Sequence, residues 1–271
     1  MPTACLTFET HPTELLAPTR APEYISTLDQ RVELILATGI DDVIVTGFTR
    51  EIAEMPRADF VGRVLIDALG ARRLVVGANF RFGKGRTGDI RYLVAEGPGM
   101  GLEVEAVPAV MIGGGPVSST RIRAMVGRGD VEEAAKLLGR RFTLRGTVVA
   151  GRKVGRKLGF PTANLSVAPR QLLPSQGVYA VEVQIDHTAH PGVCNIGHRP
   201  TFGGQERSVE VHLGGFDGDI YGRTLDVGFV RRLRDEMMFD SPERLAEQIR
   251  IDVQRAVQGH SAAPKGRRPA A

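Results

Sequence analysis

At 271 residues, 42% hydrophobic and 24% charged, the chain has the composition of a globular protein with material for one large domain or two ordinary ones. No apolar run approaches the ~18 residues of a membrane span and no basic segment followed by an apolar one opens it, so a cytoplasmic protein without a membrane partner is expected. A net charge of +4 suits anionic substrates, whereas 6% aromatics and no Trp argue against a nucleic-acid surface.

Residues 4–8, ACLTF, read as a short strand, and the ETHP that follows sets His11 before a proline at a strand end. In open α/β sheets ligand sites form there, so His11 is either a ligand contact or a turn residue. Cys5 and Cys194 lack metal-ligand or CxxC spacing, which predicts reduced thiols and no structural zinc. Thr27 with Gln30 forms a capping box opening a helix through Leu28, Val32, Ile35 and Leu36, stopped by Gly39. Strands follow at 42–48, 73–77 and 102–107, with a second amphipathic helix through Phe60, Val61, Val64, Leu65, Ala68 and Leu69 that ends at Gly70. Alternation of this kind predicts parallel βαβ units and a doubly wound sheet.

Two loops in this half carry polar chemistry. Residues 77–89, GANFRFGKGRTGD, pack four glycines, Arg81, Lys84 and Arg86 around Asn79, as a substrate loop or a flexible surface loop would. Residues 118–123, SSTRIR, place Ser119, Thr120 and Arg123 at a helix start, where free N–H groups attract phosphate; an ordinary N-cap has the same sequence.

A helix over 130–138, with Asp130 and Glu133 as its box and Gly139 as its stop, precedes a change from helical to alternating periodicity. The domain boundary is placed near 139–142, giving domains of 1–139 and 140–259 and a disordered tail, 260–271. Short strands at 177–185, 190–197, 207–213 and 223–230, separated by Gly, Pro and Asp turns, predict an antiparallel barrel or sandwich. A last helix from Ser241-Pro242 carries Leu245, Ile249, Val253 and Val257 as one stripe. In RSVEVHL alternation sets Val209, Val211 and Leu213 toward a core and Glu210 and His212 away from it, where a carboxylate is ordinarily just solvated.

Residues 151–165, GRKVGRKLGFPTANL, combine Gly151, Gly155 and Gly159 with four basic side chains, then offer Thr162 and Asn164 behind Pro161. By spacing this is neither a Walker loop nor a dinucleotide fingerprint, only a basic glycine-rich loop with an affinity for anions and oxygens suited to Mg²⁺. The string GRKLGFPTANL nevertheless resembles the riboflavin kinase signature of the bacterial bifunctional riboflavin kinase and FMN adenylyltransferase (FAD synthetase) family. NIGHRPTFGG at 195–204, EVHL, FDGDIYGR and RRLRDEMMFDS are similar to the same module over roughly residues 142–258. The resemblance implies an α/β plus β protein: an incomplete Rossmann-like nucleotidyltransferase domain, then an antiparallel β-barrel kinase domain with a C-terminal helix. It implies ATP, riboflavin and FMN as partners and Mg²⁺ as cofactor, with Gly151, Gly155, Arg156, Gly159, Thr162 and Asn164 on ATP phosphates, Thr162 and Asn164 on the metal, and Glu210 as general base.

In the first half, VGANFRFG, SSTRIR and TFETHP resemble loops of the adenylyltransferase module, which implies substrate contacts from His11, Asn79, Ser119, Thr120 and Arg123. The family's FDGVHxGH segment, with two histidines that stabilise the reacting phosphate, does not occur in the 271 residues. A central strand with its helix is missing with it, so the expectation is FMN production with little or no FAD and possible homo-oligomerisation. The alternatives are a full bifunctional enzyme and a flavin- or nucleotide-binding protein without turnover.

Overall fold

A computed structural model describes residues 1–151, 160–186, 188–201, 204–216 and 218–260. They divide into two compact units, Met1–Pro22 with Arg31–Val117 and Glu23–Gln30 with Ser118–Ala271. The division falls at 117/118, ahead of the change of periodicity at 139–142.

The first half runs β1 (Ala4–Phe8), α1 (Pro12–Leu16), α2 (Leu28–Leu36), β2 (Asp42–Thr46), α3 (Arg50–Glu54) and α4 (Arg57–Asp59), then a π-helical stretch, Phe60–Ala68. After it come β3 (Arg73–Gly77), β4 (Arg81–Phe82), β5 (Gly88–Asp89), α5 (Ile90–Glu96), β6 (Glu103–Val107), β7 (Met111–Ile112) and β8 (Gly115–Pro116). The expected strands are present and parallel, but β1 pairs with β2 and β3 with β6 in two separate two-stranded sheets. Phe60, Val61, Leu65, Phe82, Leu93 and Leu102 make one core, against which Leu6 of β1 and Leu74 and Val76 of β3 pack. Of the amphipathic stripe read from Phe60 onward, Phe60, Val61 and Leu65 are buried and Val64 and Leu69 pack half-buried against them, while Ala68 is exposed. The coil is wider than an α-helix: the Leu69 N–H donates to the Val64 carbonyl at 3.2 Å, five residues back.

The Thr27 box forms at both bonds: the Gln30 N–H donates to Thr27 Oγ1 at 3.2 Å and the Thr27 N–H to Gln30 Oε1 at 3.1 Å. Gln30 is buried, and its amide reaches Asp226 Oδ1 at 3.1 Å, a role its sequence context does not announce.

The second unit carries α6 (Ser119–Arg128) and α7 (Val131–Leu138), then β9 (Thr143–Val149), β10 (Thr162–Val167), β11 (Gly177–Ile185), β12 (Thr188–Thr201), β13 (Gly204–Leu213), β14 (Thr224–Arg234) and α8 (Pro242–His260). The predicted box at Asp130 does not form. Asp130 makes no side-chain cap and pairs with Arg128 instead, while Glu133 pairs with Lys136, so its one carboxylate serves a neighbour on the same face.

The six strands close into an antiparallel barrel in the order β10-β13-β12-β11-β14-β9. Its interior is filled by alternate residues: Leu144, Val148, Leu165, Tyr179, Val181, Cys194, Ile196, Val209, Val211, Val227 and Phe229 are all buried. On β11 the other face is buried too, because Val178 and Ala180, with Val193 of β12, lie under Val253 and Ala256 of α8. Such double burial explains why GVYAVEVQI is apolar almost throughout. The α8 stripe needs one correction: Val257 is 47% exposed, and Ala256 is buried in its place. Each step of four residues advances about 40° beyond a full turn, so three steps from Leu245 carry Val257 off the buried face.

A second correction concerns residues 162–165. They belong to a strand and not to a loop, since β10 pairs with both β13 and β9. Pro161, which has no N–H to donate, stands just outside it.

Candidate active site on the barrel wall

The register of three neighbouring strands assembles the site. Asn164 of β10 lies directly opposite Glu210 of β13, and Glu210 in turn lies directly opposite Asn195 of β12. Thr162 lies opposite His212 in the same ladder. Opposed residues of antiparallel strands point to the same side with Cβ atoms about 4.5–5.5 Å apart. Val209, Val211, Cys194 and Ile196 fill the barrel, so Thr162, Asn164, Glu210, His212 and Asn195 all face outward. A central carboxylate is thus flanked by two carboxamides, with a hydroxyl and an imidazole one step along.

Packing fixes several of these groups. Asn164 is 6% exposed, and its amide lies against the backbone of Gly151 so closely that a Cβ at that glycine would overlap it. The His212 Nδ1–H donates to the Pro161 carbonyl at 2.9 Å, and its ring meets Phe160 edge-on at 5.4 Å between centroids. The Arg250 guanidinium sits 5.9 Å from the same phenylalanine ring. Asn195 Nδ2 donates to Glu236 Oε1 at 3.1 Å, and Gln176 Nε2 donates to the other oxygen of that carboxylate. Behind the row, burial and then the Glu210 charge push the Cys194 thiol up. That cysteine is packing and not a nucleophile.

Gly151, Thr162, Asn164 and Glu210 are therefore gathered on one wall of the barrel. Gly155, Arg156 and Gly159 lie outside the described residues. Of the NIGHRPTFGG stretch, residues 195–201 run along β12 and Gly204 opens β13, with Thr201 opposite Gly204, while residues 202 and 203 lie outside the described residues. Among the described residues no cluster of three or more His, Cys, Asp or Glu could hold a metal. A cation here would depend on the oxygens of Thr162 and Asn164, a hydroxyl and a carboxamide that match Mg²⁺, which keeps several waters and takes phosphate ligands.

The other candidates are placed separately. His11 caps α1, its Nδ1 accepting from the Thr13 N–H at 3.2 Å while Glu14 completes the box. Asn79 is exposed in the turn after β3. Ser118 caps α6 by accepting from the Arg121 N–H at 3.3 Å, which leaves Ser119 and Thr120 exposed in the first turn. Arg123 Nε donates to the Glu23 carbonyl at 2.6 Å, and burial pulls its basicity below the ordinary guanidinium value.

Asn195 and Glu236 are what sequence reasoning overlooked. Both stood inside quoted motifs, NIGHRPTFGG and RRLRDEMMFDS, but nothing in their spacing announces that the two meet across 41 residues.

Two family models match the chain: one described as riboflavin kinase over residues 138–259, the other as FAD synthetase over residues 1–121. A bifunctional riboflavin kinase/FMN adenylyltransferase of Pseudomonas fluorescens is 40% identical over 93% of this chain and 81% of its own length. Its counterpart in Escherichia coli K12 is 37% identical over 93% and 80%. A crystal structure of a macrolide-efflux protein from Streptococcus pneumoniae superposes with a TM-score of 0.83 at 31% identity, over 95% of this chain and 84% of that one.

Proposed function

Because the chain belongs to the bifunctional riboflavin kinase/FMN adenylyltransferase family, we propose that its barrel, taken as domain 140–259, transfers the γ-phosphoryl group of ATP to the 5′-hydroxyl of riboflavin, giving FMN. The observation that carries this reading is the placement of Glu210 between Asn164 and Asn195 on three adjacent strands.

In this reading the 5′-hydroxyl donates to Glu210. The carboxylate takes its proton as the oxygen bonds to the γ-phosphorus and the bond to the ADP oxygen breaks. Thr162 and Asn164 would hold Mg²⁺ together with ATP phosphates, and the bound cation would offset charge on the transferred group. Gly151 leaves the space that the Asn164 amide occupies, so its work is steric. Gly155, Arg156 and Gly159 would complete the phosphate loop.

A second reading adds FMN adenylylation by domain 1–139, with His11, Asn79, Ser119, Thr120 and Arg123 on substrate and ATP. The match of residues 1–121 to the FAD synthetase model favours it. Incubation of the purified chain with riboflavin and Mg-ATP, followed by chromatography, distinguishes the two. FMN alone supports the kinase, FMN with FAD supports both activities, and bound flavin without product overturns the catalytic reading.

A further inference from the structure

We infer that Asn195, held by Glu236, is a positioning residue that orients the Glu210 carboxylate for phosphoryl transfer. The inference rests on the reading of Glu210 as general base.

Three observations lead to it. Asn195 stands directly opposite Glu210, and neighbours of this kind bring their side chains within reach of each other. The amide of Asn195 is itself oriented, because Nδ2 donates to Glu236 Oε1 at 3.1 Å. Glu236 is itself fixed by Gln176 Nε2, and the Gln176 backbone is fixed in turn: its carbonyl accepts from Arg232 Nη2 at 2.7 Å. The third observation is Gly197, two residues along β12 from Asn195 on the same face. A Cβ there would overlap Glu236 Oε1, so the strand leaves out a side chain where the carboxylate rests.

An exposed glutamate ordinarily wanders among rotamers. This one is held by two amides and a missing methyl group, and the residue it grips adjoins the reacting carboxylate. A general base must meet its proton within hydrogen-bond reach, so fixing its neighbour lowers the cost of reaching that geometry.

The test uses the full chain and steady-state phosphorylation of riboflavin. Glu236→Gln, Gly197→Ala and Asn195→Ala should each lower kcat about tenfold, the scale of a partner that orients a reacting group, with both KM values within about threefold. The double variant Asn195→Ala/Glu236→Gln should fall no further than the worse single variant, because both act through one chain of contacts. Parental kcat in the variants beside an inactive Glu210→Gln overturns the positioning role and leaves the base reading standing. A rise confined to KM, or additive losses in the double variant, also overturns it. Retained turnover in Glu210→Gln overturns both readings. Where Asn195→Ala melts early, Glu236→Gln and Gly197→Ala carry the test, the first altering an exposed side chain and the second removing no polar group.

Discussion

Glu210 is one carboxylate among many on strands of this chain, and position alone separates it from the others. Replacing it by Gln keeps the shape and removes the base, so kcat should fall about 10²–10⁴-fold while riboflavin still quenches on binding; fluorescence titration beside turnover assays checks the split. Thr162→Ala and Asn164→Ala should raise the requirement for Mg-ATP and spare riboflavin affinity, and unchanged ATP kinetics in both would remove the cation assignment. Cys194 gives a prediction about pH. Its folded pKa is raised, first by burial, so the folded chain keeps a proton that the unfolded chain releases above about pH 8.5. Stability from this group is therefore complete below that pH and is lost as pH rises, with a slope approaching about 1.4 kcal/mol per unit. Cys194→Ala should flatten the alkaline side of a urea-unfolding profile, and an identical slope in parent and variant would refute the assignment.

At the scale of elements, alternation and capping made most of the barrel and the first helices readable before any coordinates. Strands β11, β13 and β14 follow their apolar patterns, and the Thr27 and Gln30 pair caps α2 as its spacing indicates. What escaped the sequence depends on pairing across long separations. Thr162–Val167 reads as the end of a loop because its polar residues face outward beside a glycine-rich run, and only the ladders to β9 and β13 make it a strand. Asp252 is another case. It interrupts the apolar stripe of α8 yet is 1% exposed, where Arg234 of β14 donates to it at 2.7 Å and Gln248 at 3.0 Å. Removing it strands a largely buried guanidinium, so Asp252→Ala should cost about 3 kcal/mol in urea unfolding. Asp240→Ala, which breaks an exposed pair with Arg244, should cost under about 1 kcal/mol. Equal losses would show that burial of the first pair contributes nothing.

At the scale of the molecule the two halves manage strand edges differently. The barrel has none, because its six strands close. The first unit has two two-stranded parallel sheets whose outer edges lack ladder partners among the described residues, and Val45 of β2 and Val75 of β3 are 41% and 55% exposed. Unpaired edges beside exposed valines invite association, which a modest net charge of +4 opposes only weakly. The full chain should associate with rising concentration in sedimentation, and Val45→Lys/Val75→Lys should lower that tendency without altering riboflavin phosphorylation. Identical sedimentation of parent and variant would place the contact elsewhere.

Closure of the barrel also bears on how the protein is born. Its ring is sealed by β9 against β14, Thr143 opposite Gly228 and Thr147 opposite Thr224, so the first strand of the barrel waits for its last. On a ribosome, Asn164, Asn195 and Glu210 are all synthesised before the seam that steadies their wall can form. A message cut short just ahead of β14 would lose no residue of the proposed base or cation site, and would still yield no enzyme.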